Sequence, residues 1–205
     1  MTNIVVCGVA GRMGQRLAHL SLAAEDLQLV GGKEHPAHMA IARDIGEIIG
    51  AGRLDLEVRD SLAGLVEADR VVVNFTTPEA TLEDAAICAE HGTAMVVGTT
   101  GFTPEQLEEF KRIVSGITCV FASNFSTAMN VLFKLVEEAA SILGDDYDVE
   151  VIEKHHRLKV DAPSGSALTL AERAAAGLDR NLREVVVHGR EGVVGARTKK
   201  EIGMH

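Results

Sequence analysis

Basic side chains that could bind an anion and transfer a proton lie close together in residues 153–166, which read Glu-Lys-His-His-Arg-Leu-Lys-Val-Asp-Ala-Pro-Ser-Gly-Ser. Neighbouring side chains of an extended segment point to opposite sides, so only one of His155 and His156 needs to face a given site. A histidine titrates near neutral pH, and Lys159 supplies a compact positive charge. Together these residue types suit an anionic substrate that must be protonated.

The end of the same segment predicts the start of a helix. Ser164, Gly165 and Ser166 precede a helical pattern, with a serine in the position of a cap. The free N–H groups and the dipole of such a start attract a carboxylate. A histidine pair alone is more often a surface feature and a lysine is more often solvated, but the dinucleotide pattern described next favours a substrate site.

The chain opens with a β-strand, a glycine-rich turn and a helix. Residues 3–9 are a β-branched apolar run typical of a buried parallel strand, and residues 8–14 read Gly-Val-Ala-Gly-Arg-Met-Gly. A helical pattern follows over residues 15–24, and a second strand is predicted at residues 27–31. This βαβ pattern predicts a doubly wound, Rossmann-type α/β domain that binds a dinucleotide.

Each glycine of this turn has a physical purpose. Gly8 permits the tight turn, Gly11 lets the backbone approach a pyrophosphate, and Gly14 lets helix and strand pack closely. Glu34 lies twenty residues after Gly14, where an acidic residue accepts hydrogen bonds from the adenosine ribose.

The residues beside Glu34 leave the cofactor preference open. Glu34 itself favours NAD, whereas Lys33 or His35 could partly neutralise a ribose 2′-phosphate. The residues therefore predict NAD or NADP as the cofactor without choosing between them.

Further elements follow from the apolar patterns and the turn residues. Strands are predicted at residues 54–58, 70–75, 94–97, 118–122, 149–153 and 184–187, and helices at residues 61–67, 129–143 and 168–178. The small residues Gly98, Thr99 and Thr100 follow one of these strands and could approach a nicotinamide, although a plain turn is the default interpretation.

The composition excludes several classes of protein. The net charge of −10 and the aromatic content of 3% disfavour nucleic-acid binding. We expect no membrane span and no signal peptide. Cys7, Cys88 and Cys119 are widely spaced in apolar runs, which indicates reduced thiols in a cytoplasmic protein. An acidic turn at residues 144–148 lacks the spacing of an EF-hand, and no metal site is predicted.

Residues 153–166 resemble the signature of the dihydrodipicolinate reductases, nicotinamide-dependent enzymes of lysine biosynthesis, which reads Glu-x-His-His-x-x-Lys-x-Asp-x-Pro-Ser-Gly-Thr-Ala. The departure is Ser166, where threonine is usual, and it keeps the hydroxyl and the N–H. The glycine turn also has the form Gly-x-x-Gly-Arg-Met-Gly of this family. Residues 122–126 resemble its Ala-x-Asn-Phe-Ser element, with Ser123 where proline is common.

The resemblance implies an activity and a set of site residues. The family reduces hydroxy-tetrahydrodipicolinate, a cyclic dicarboxylate, with NADH or NADPH. By resemblance His155 is the proton donor. Lys159 is a second candidate because its charge balances the growing electron density, and Asp161 is expected to orient the loop or to pair with a cation. The substrate-binding residues are His156, Lys159, Ser164, Gly165 and Ser166. The cofactor-binding residues are Gly8, Val9, Ala10, Gly11, Arg12, Met13, Glu34, Gly98, Thr99, Thr100, Ala122, Ser123, Asn124 and Phe125.

The resemblance also implies the domain organisation. Residues 1–126 form the dinucleotide-binding domain, and residues 127–205 form an α+β domain with a mixed sheet that binds substrate and builds a homotetramer. The family continues beyond the position that matches His205 with further strands and a helix, so we expect an incomplete second sheet in a chain that is either a fragment or assembles differently from the family. We also expect the domains to close over the substrate.

Three other functions are compatible with a dinucleotide-binding domain. Another two-domain dehydrogenase lacks support from the His-His-x-x-Lys pattern. A non-catalytic nucleotide-binding module would bind NADH tightly without turnover. A redox-sensing repressor is disfavoured by the acidic charge and by the lack of a winged-helix segment.

Overall fold

A computed structural model of the chain describes residues 1–157, 159 and 162–205. The chain divides into two compact units, Met1–Ala122 (unit 1) and Ser123–His205 (unit 2). The domain boundary expected between residues 126 and 127 lies slightly further along the chain and stays a prediction. Asp161, to which the sequence assigned an orienting role, lies outside the described residues.

Unit 1 is a parallel sheet with helical connections. Its strand order, β3-β2-β1-β4-β5-β6, is that of a doubly wound Rossmann fold, which confirms the predicted fold class. The order reverses between β1 and β4, and this is where such sheets bind their ligands. The strands are β1 (Thr2–Cys7), β2 (Leu27–Lys33), β3 (Val58–Arg59), β4 (Arg70–Asn74), β5 (Ala94–Val97) and β6 (Cys119–Phe121), and the helices are α1 (Arg12–Ala23), α2 (Ile45–Ile49), α3 (Pro78–His91) and α4 (Pro104–Val114).

Apolar side chains cover both faces of this sheet. Val5 and Cys7 of β1 belong to one core cluster, and Ile4 and Val6 belong to the other. The alternation arises because successive residues of a strand point to opposite faces. This two-sided burial explains why the sequence of β1 is a continuous apolar run.

Side-chain caps begin two of the helices of unit 1, α3 and α4. The Thr77 hydroxyl accepts a hydrogen bond from the Ala80 N–H, and Pro78 occupies the first position of α3. Thr103 and Gln106 form a reciprocal capping box at the start of α4. These caps fix where the chain enters each helix from the carboxyl edge of the sheet.

Unit 2 has a small sheet covered on one face by a helix. Its strands pair in parallel in the order β7-β9-β8, which differs from the mixed sheet implied by the resemblance. Small residues of one helix, among them Ala167 and Ala171, pack on Ile202 and Met204 of the central strand. The elements are α5 (Thr127–Leu143), β7 (Val149–Val151), α6 (Gly165–Gly177), α7 (Leu182–Val185), β8 (Val186–His188) and β9 (Ile202–Met204).

Three predicted elements were wrong or misplaced. Residues 61–67 form turns and no helix: Leu62, Leu65 and Val66 have helical spacing, but Gly64 has a φ of +74°, which a helix cannot contain. The strand predicted at residues 54–58 is reduced to β3. The strand predicted at residues 184–187 begins only at β8, because α7 occupies the preceding residues.

Within residues 1–157, 159 and 162–205, no helix has the length and apolar character that crossing a membrane requires.

Candidate active site

The glycine turn between β1 and α1 forms a cradle for a phosphate. Gly8 has a φ of +68°, and its carbonyl accepts a hydrogen bond of 2.9 Å from the Gly11 N–H. A Cβ on Gly14 would lie 2.0 Å from that carbonyl oxygen, so only glycine allows this packing. Gly11 is the N-cap residue of α1 and has no side chain to occupy the first turn. The cradle therefore fits the pyrophosphate of a dinucleotide.

Glu34, the acidic residue after β2, is hydrogen-bonded to the glycine turn. The Ala10 N–H donates a hydrogen bond of 3.1 Å to Glu34 Oε2, and the His35 N–H donates one of 3.0 Å to Oε1. A cavity of about 450 Å³ beside it is lined by Gly8, Gly11 and Glu34 among others. The structure thus brings the glycine turn and Glu34 together, as the dinucleotide pattern predicts.

The remaining residues of the turn differ in accessibility. The Val9 side chain is fully buried in the core, so any contact that Val9 makes with a cofactor uses its backbone. Arg12 and Met13 are exposed and line a second cavity of about 430 Å³ with Gly14 and Phe75. This cavity lies at the start of α1, where a phosphate would bind.

A buried ion pair lies beneath the cradle, and the sequence analysis missed its acidic member. Lys33, at the end of β2, forms an ion pair with Asp84 of α3, whose side chain is 1% exposed. Burial raises the pKa of Asp84, while Lys33, Cys7 and Asn74 act in the opposite direction. Burial likewise raises the pKa of the Cys88 thiol to about 12, which keeps it neutral and unreactive.

Asn74 connects this ion pair to the neighbouring strand ends. Its side-chain N–H donates to Asp84 Oδ2 at 2.9 Å, while its Oδ1 accepts from the Thr76 hydroxyl at 2.6 Å and from the Thr81 hydroxyl at 3.2 Å. The hydroxyls of Thr81 and Thr99 are hydrogen-bonded at 2.8 Å. The Lys33–Asp84–Asn74 network therefore fixes the carboxyl ends of β2, β4 and β5 against α3.

This network changes how the predicted loop after β5 can act. The Thr99 side chain is 2% exposed and its hydroxyl is engaged in the network, whereas Thr100 is exposed. A Cβ on Gly98 would lie 2.1 Å from the ring of Phe75, so glycine is required for the ring to lie there. Cofactor contacts by these residues stay a prediction.

The candidate site of unit 2 lies at the carboxyl edge of its sheet. A cavity of about 420 Å³ is bounded by Glu153, Ala167, His188 and His205. Because the three strands are parallel, the residues that follow them meet at one edge, together with the start of α6. The sequence analysis missed His188 and His205; their signal was that each stands at the end of a short apolar strand.

Glu153 links the two parts of the predicted substrate site. The Ser164 N–H donates a 2.7 Å hydrogen bond to Glu153 Oε1, and His155 Nε2 lies 2.7 Å from Oε2. Partial burial raises the pKa of Glu153, but the hydrogen bonds from Ser164 and His155 outweigh it and lower the pKa to about 2. Glu153 is therefore an anion at neutral pH.

The predicted helix start is present. Ser164 is the N-cap of α6, and its hydroxyl accepts a 3.1 Å hydrogen bond from the Ala167 N–H. Gly165 and Ser166 lie in the first turn, whose N–H groups have no acceptor within the helix. His156 and Lys159 are joined by a hydrogen bond of 3.1 Å from the Lys159 N–H to the His156 carbonyl.

Residues 123–126 are brought to the same helix. The Asn124 side chain donates a 3.0 Å hydrogen bond to the Ser166 hydroxyl, and the hydroxyls of Ser123 and Thr169 are 2.9 Å apart. Phe125 is 43% exposed, and Ala122 is the last residue of unit 1. Cofactor contacts by these residues stay a prediction.

Comparisons with known proteins agree over the whole chain. The family model for the dihydrodipicolinate reductase N-terminus matches residues 2–125, and the one for the C-terminus matches residues 128–205. The chain is 47% identical to the 4-hydroxy-tetrahydrodipicolinate reductase of Syntrophobacter fumaroxidans and 46% identical to that of Desulfotalea psychrophila, covering all of this chain and 76% of each relative. A dipicolinate-bound dihydrodipicolinate reductase from Paenisporosarcina sp. TG-14 matches with a TM-score of 0.63 and 26% identity, covering 77% of that chain.

The buried ion pair generates a pH-dependent prediction. Lys33→Met removes a cation that lowers the pKa of Asp84, so that pKa rises further in the folded protein. A raised folded-state pKa contributes stability at low pH that is lost as the pH rises. We expect a stability deficit that is small near pH 4 and reaches ~3–5 kcal/mol by pH 8, measured by urea unfolding.

The double variant Lys33→Met/Asp84→Asn is the matched control. Asparagine still accepts the hydrogen bond from Asn74 but does not titrate, so the unfolding free energy of the double variant should lack the additional pH dependence expected of Lys33→Met. A deficit of Lys33→Met that does not change with pH would contradict the assignment.

Proposed function

Because the chain belongs to the dihydrodipicolinate reductase family, we propose that it reduces (2S,4S)-4-hydroxy-2,3,4,5-tetrahydrodipicolinate to tetrahydrodipicolinate with NADH or NADPH, in the diaminopimelate route of lysine biosynthesis. The observation that carries this proposal is the arrangement of Glu153, His155 and the start of α6 at one sheet edge. This arrangement supports the proposal because reduction of a cyclic dicarboxylate requires a proton donor close to groups that bind a carboxylate.

Residues 1–126 are proposed as the cofactor domain. When bound, the reduced nicotinamide supplies the hydride. The glycine turn holds the pyrophosphate through backbone N–H groups, and Glu34 accepts hydrogen bonds from the adenosine ribose. The proposed contacts are Gly8, Val9, Ala10, Gly11, Arg12, Met13, Glu34, Gly98, Thr99, Thr100, Ala122, Ser123, Asn124 and Phe125.

Residues 127–205 are proposed as the substrate domain. The two substrate carboxylates are neutralised by Lys159 and His156 and by the N–H groups of Gly165 and Ser166. Ser164 supports this binding indirectly, because its hydroxyl caps α6 and leaves the next two N–H groups for the ligand.

His155 is proposed to protonate the substrate carbon. Water is lost from the ring, the hydride adds to the unsaturated ring carbon, and the enamine that results takes a proton from the His155 imidazolium. A histidine suits this step because its pKa lies near the working pH. Lys159 is the second candidate donor, and its charge offsets the electron density that grows on the substrate.

The proposed setting is a cytoplasmic homotetramer. The support is the family, together with cysteines whose pKa is raised by burial and which therefore stay as neutral thiols. Light scattering should give four chains per particle, and cell fractionation should find the protein in the cytoplasm. A monomer at micromolar concentration would contradict the assembly.

The first prediction for activity concerns His155. His155→Gln should lower kcat ~10²-fold or more, since general acid catalysis contributes about that much. The assay follows NAD(P)H oxidation with substrate made in place by the preceding synthase. His19→Gln, on the exposed side of α1, should keep wild-type turnover.

Two results would contradict the proposal. One is a His155→Gln rate within about two-fold of wild type, well short of the ~10²-fold expected of a general acid. The other is tight NADH binding with no turnover in the wild type, which would instead indicate a nucleotide-binding module.

The second prediction concerns cofactor preference. The cavity beside the glycine turn is lined by the carboxylates of Glu34, Asp60 and Glu83, while the charges of Lys33 and Asp84 offset each other as an ion pair. These charges repel a 2′-phosphate, so kcat/KM should favour NADH by ~10-fold, equivalent to ~1.4 kcal/mol. Glu34→Gln should reduce this ratio, while the exposed control Glu25→Gln should not. A wild-type preference for NADPH would overturn the electrostatic argument.

A further inference from the structure

The Glu153 carboxylate connects two segments that are apart in sequence. Glu153 stands two residues after β7, and one of its oxygens accepts the N–H of Ser164, the N-cap residue of α6. The other oxygen lies 2.7 Å from Nε2 of His155. One side chain therefore fixes the imidazole relative to the helix start that is proposed to bind a substrate carboxylate.

The charge of Glu153 decides which nitrogen of His155 carries the proton. Hydrogen bonds from Ser164 and His155 hold the pKa of Glu153 at about 2, against the effect of burial. An ionised carboxylate can only accept hydrogen bonds. The contact therefore requires a hydrogen on Nε2, and it leaves Nδ1 as the nitrogen that can exchange a proton.

Groups of both charges lie near this carboxylate, since His205 Nε2 is 2.7 Å from an oxygen of Glu150. His188 and His205 reach the same cavity from β8 and β9, and Lys154 and Arg157 flank the histidine pair. Glu153 is the one carboxylate among the described residues that line this cavity. It is also the carboxylate that the His155 imidazole contacts.

We propose that Glu153 is a positioning residue for the reduction: its carboxylate holds His155 as the Nε2–H form, stabilises the imidazolium, and directs Nδ1 toward the substrate. This inference rests on the proposed function, in which His155 is the acid. Glu153 does not touch the reacting atoms and acts through His155.

The variant Glu153→Gln tests this role. Glutamine has no negative charge. If its oxygen accepts the Ser164 N–H, its NH₂ group faces the imidazole in place of a carboxylate oxygen. We expect kcat to fall ~10- to 100-fold with KM within about three-fold of wild type. Glu172→Gln, exposed on α6, is the matched control.

The double variant His155→Gln/Glu153→Gln separates positioning from a structural role. A residue that acts through His155 should cost less than about two-fold once His155 is replaced. An equal loss in both backgrounds would overturn the inference and leave the proposed function intact. If His155→Gln alone has no effect, it is the acid assignment in the proposed function that fails.

The tautomer of His155 can be measured in the wild-type protein, so this test does not depend on whether a variant folds. Histidine ¹⁵N NMR, with His155→Gln for assignment, reports the tautomer directly. The Nε2–H form of neutral His155 is expected, and an Nδ1–H form would overturn the inference.

Discussion

Parallel strand pairing is the constraint on which both candidate sites depend. Parallel strands deliver all their carboxyl ends to the same edge, and residues far apart in sequence meet there. In unit 1 this edge carries the glycine turn, Glu34 and the Lys33–Asp84–Asn74 network. In unit 2 it carries Glu153, His188 and His205. Each unit thus presents its chemical groups on a single edge, while its apolar faces supply the stability.

The carboxylates of Asp84 and Glu153 have pKa values shifted in opposite directions by their surroundings. Burial dominates at Asp84 and raises its pKa, so this residue needs Lys33 and Asn74 and serves as a structural tie. Glu153 is more accessible, and its hydrogen bonds outweigh burial and lower its pKa to about 2. A stable anion beside a histidine can assist proton transfer, whereas a buried carboxylate that is expensive to ionise is suited to holding strands together.

Much of the fold and part of the site could be predicted from the sequence. Buried parallel strands are continuous apolar runs, and the glycine turn is a local motif, so both are visible in short windows. The Lys33–Asp84 pair was not visible, because the two residues are 51 positions apart and only the sheet brings them together. The false helix at residues 61–67 arose because core residues in turns can have helical spacing by chance; the Gly64 conformation, a tertiary property, decides against it.

The chain departs from the family pattern at Ser123 and Ser166. Both serines take part in the contacts between residues 123–126 and α6. Ser166 lacks the methyl group of threonine but keeps the hydroxyl that accepts a hydrogen bond from Asn124. The Thr169 hydroxyl donates to the Gly165 carbonyl, so the Ser123 hydroxyl is the donor in its bond to Thr169. A proline at position 123 could not make that bond. Ser123 therefore adds a hydrogen bond between residues 123–126 and α6. Ser166, on the same helix, lacks the methyl group that threonine would supply.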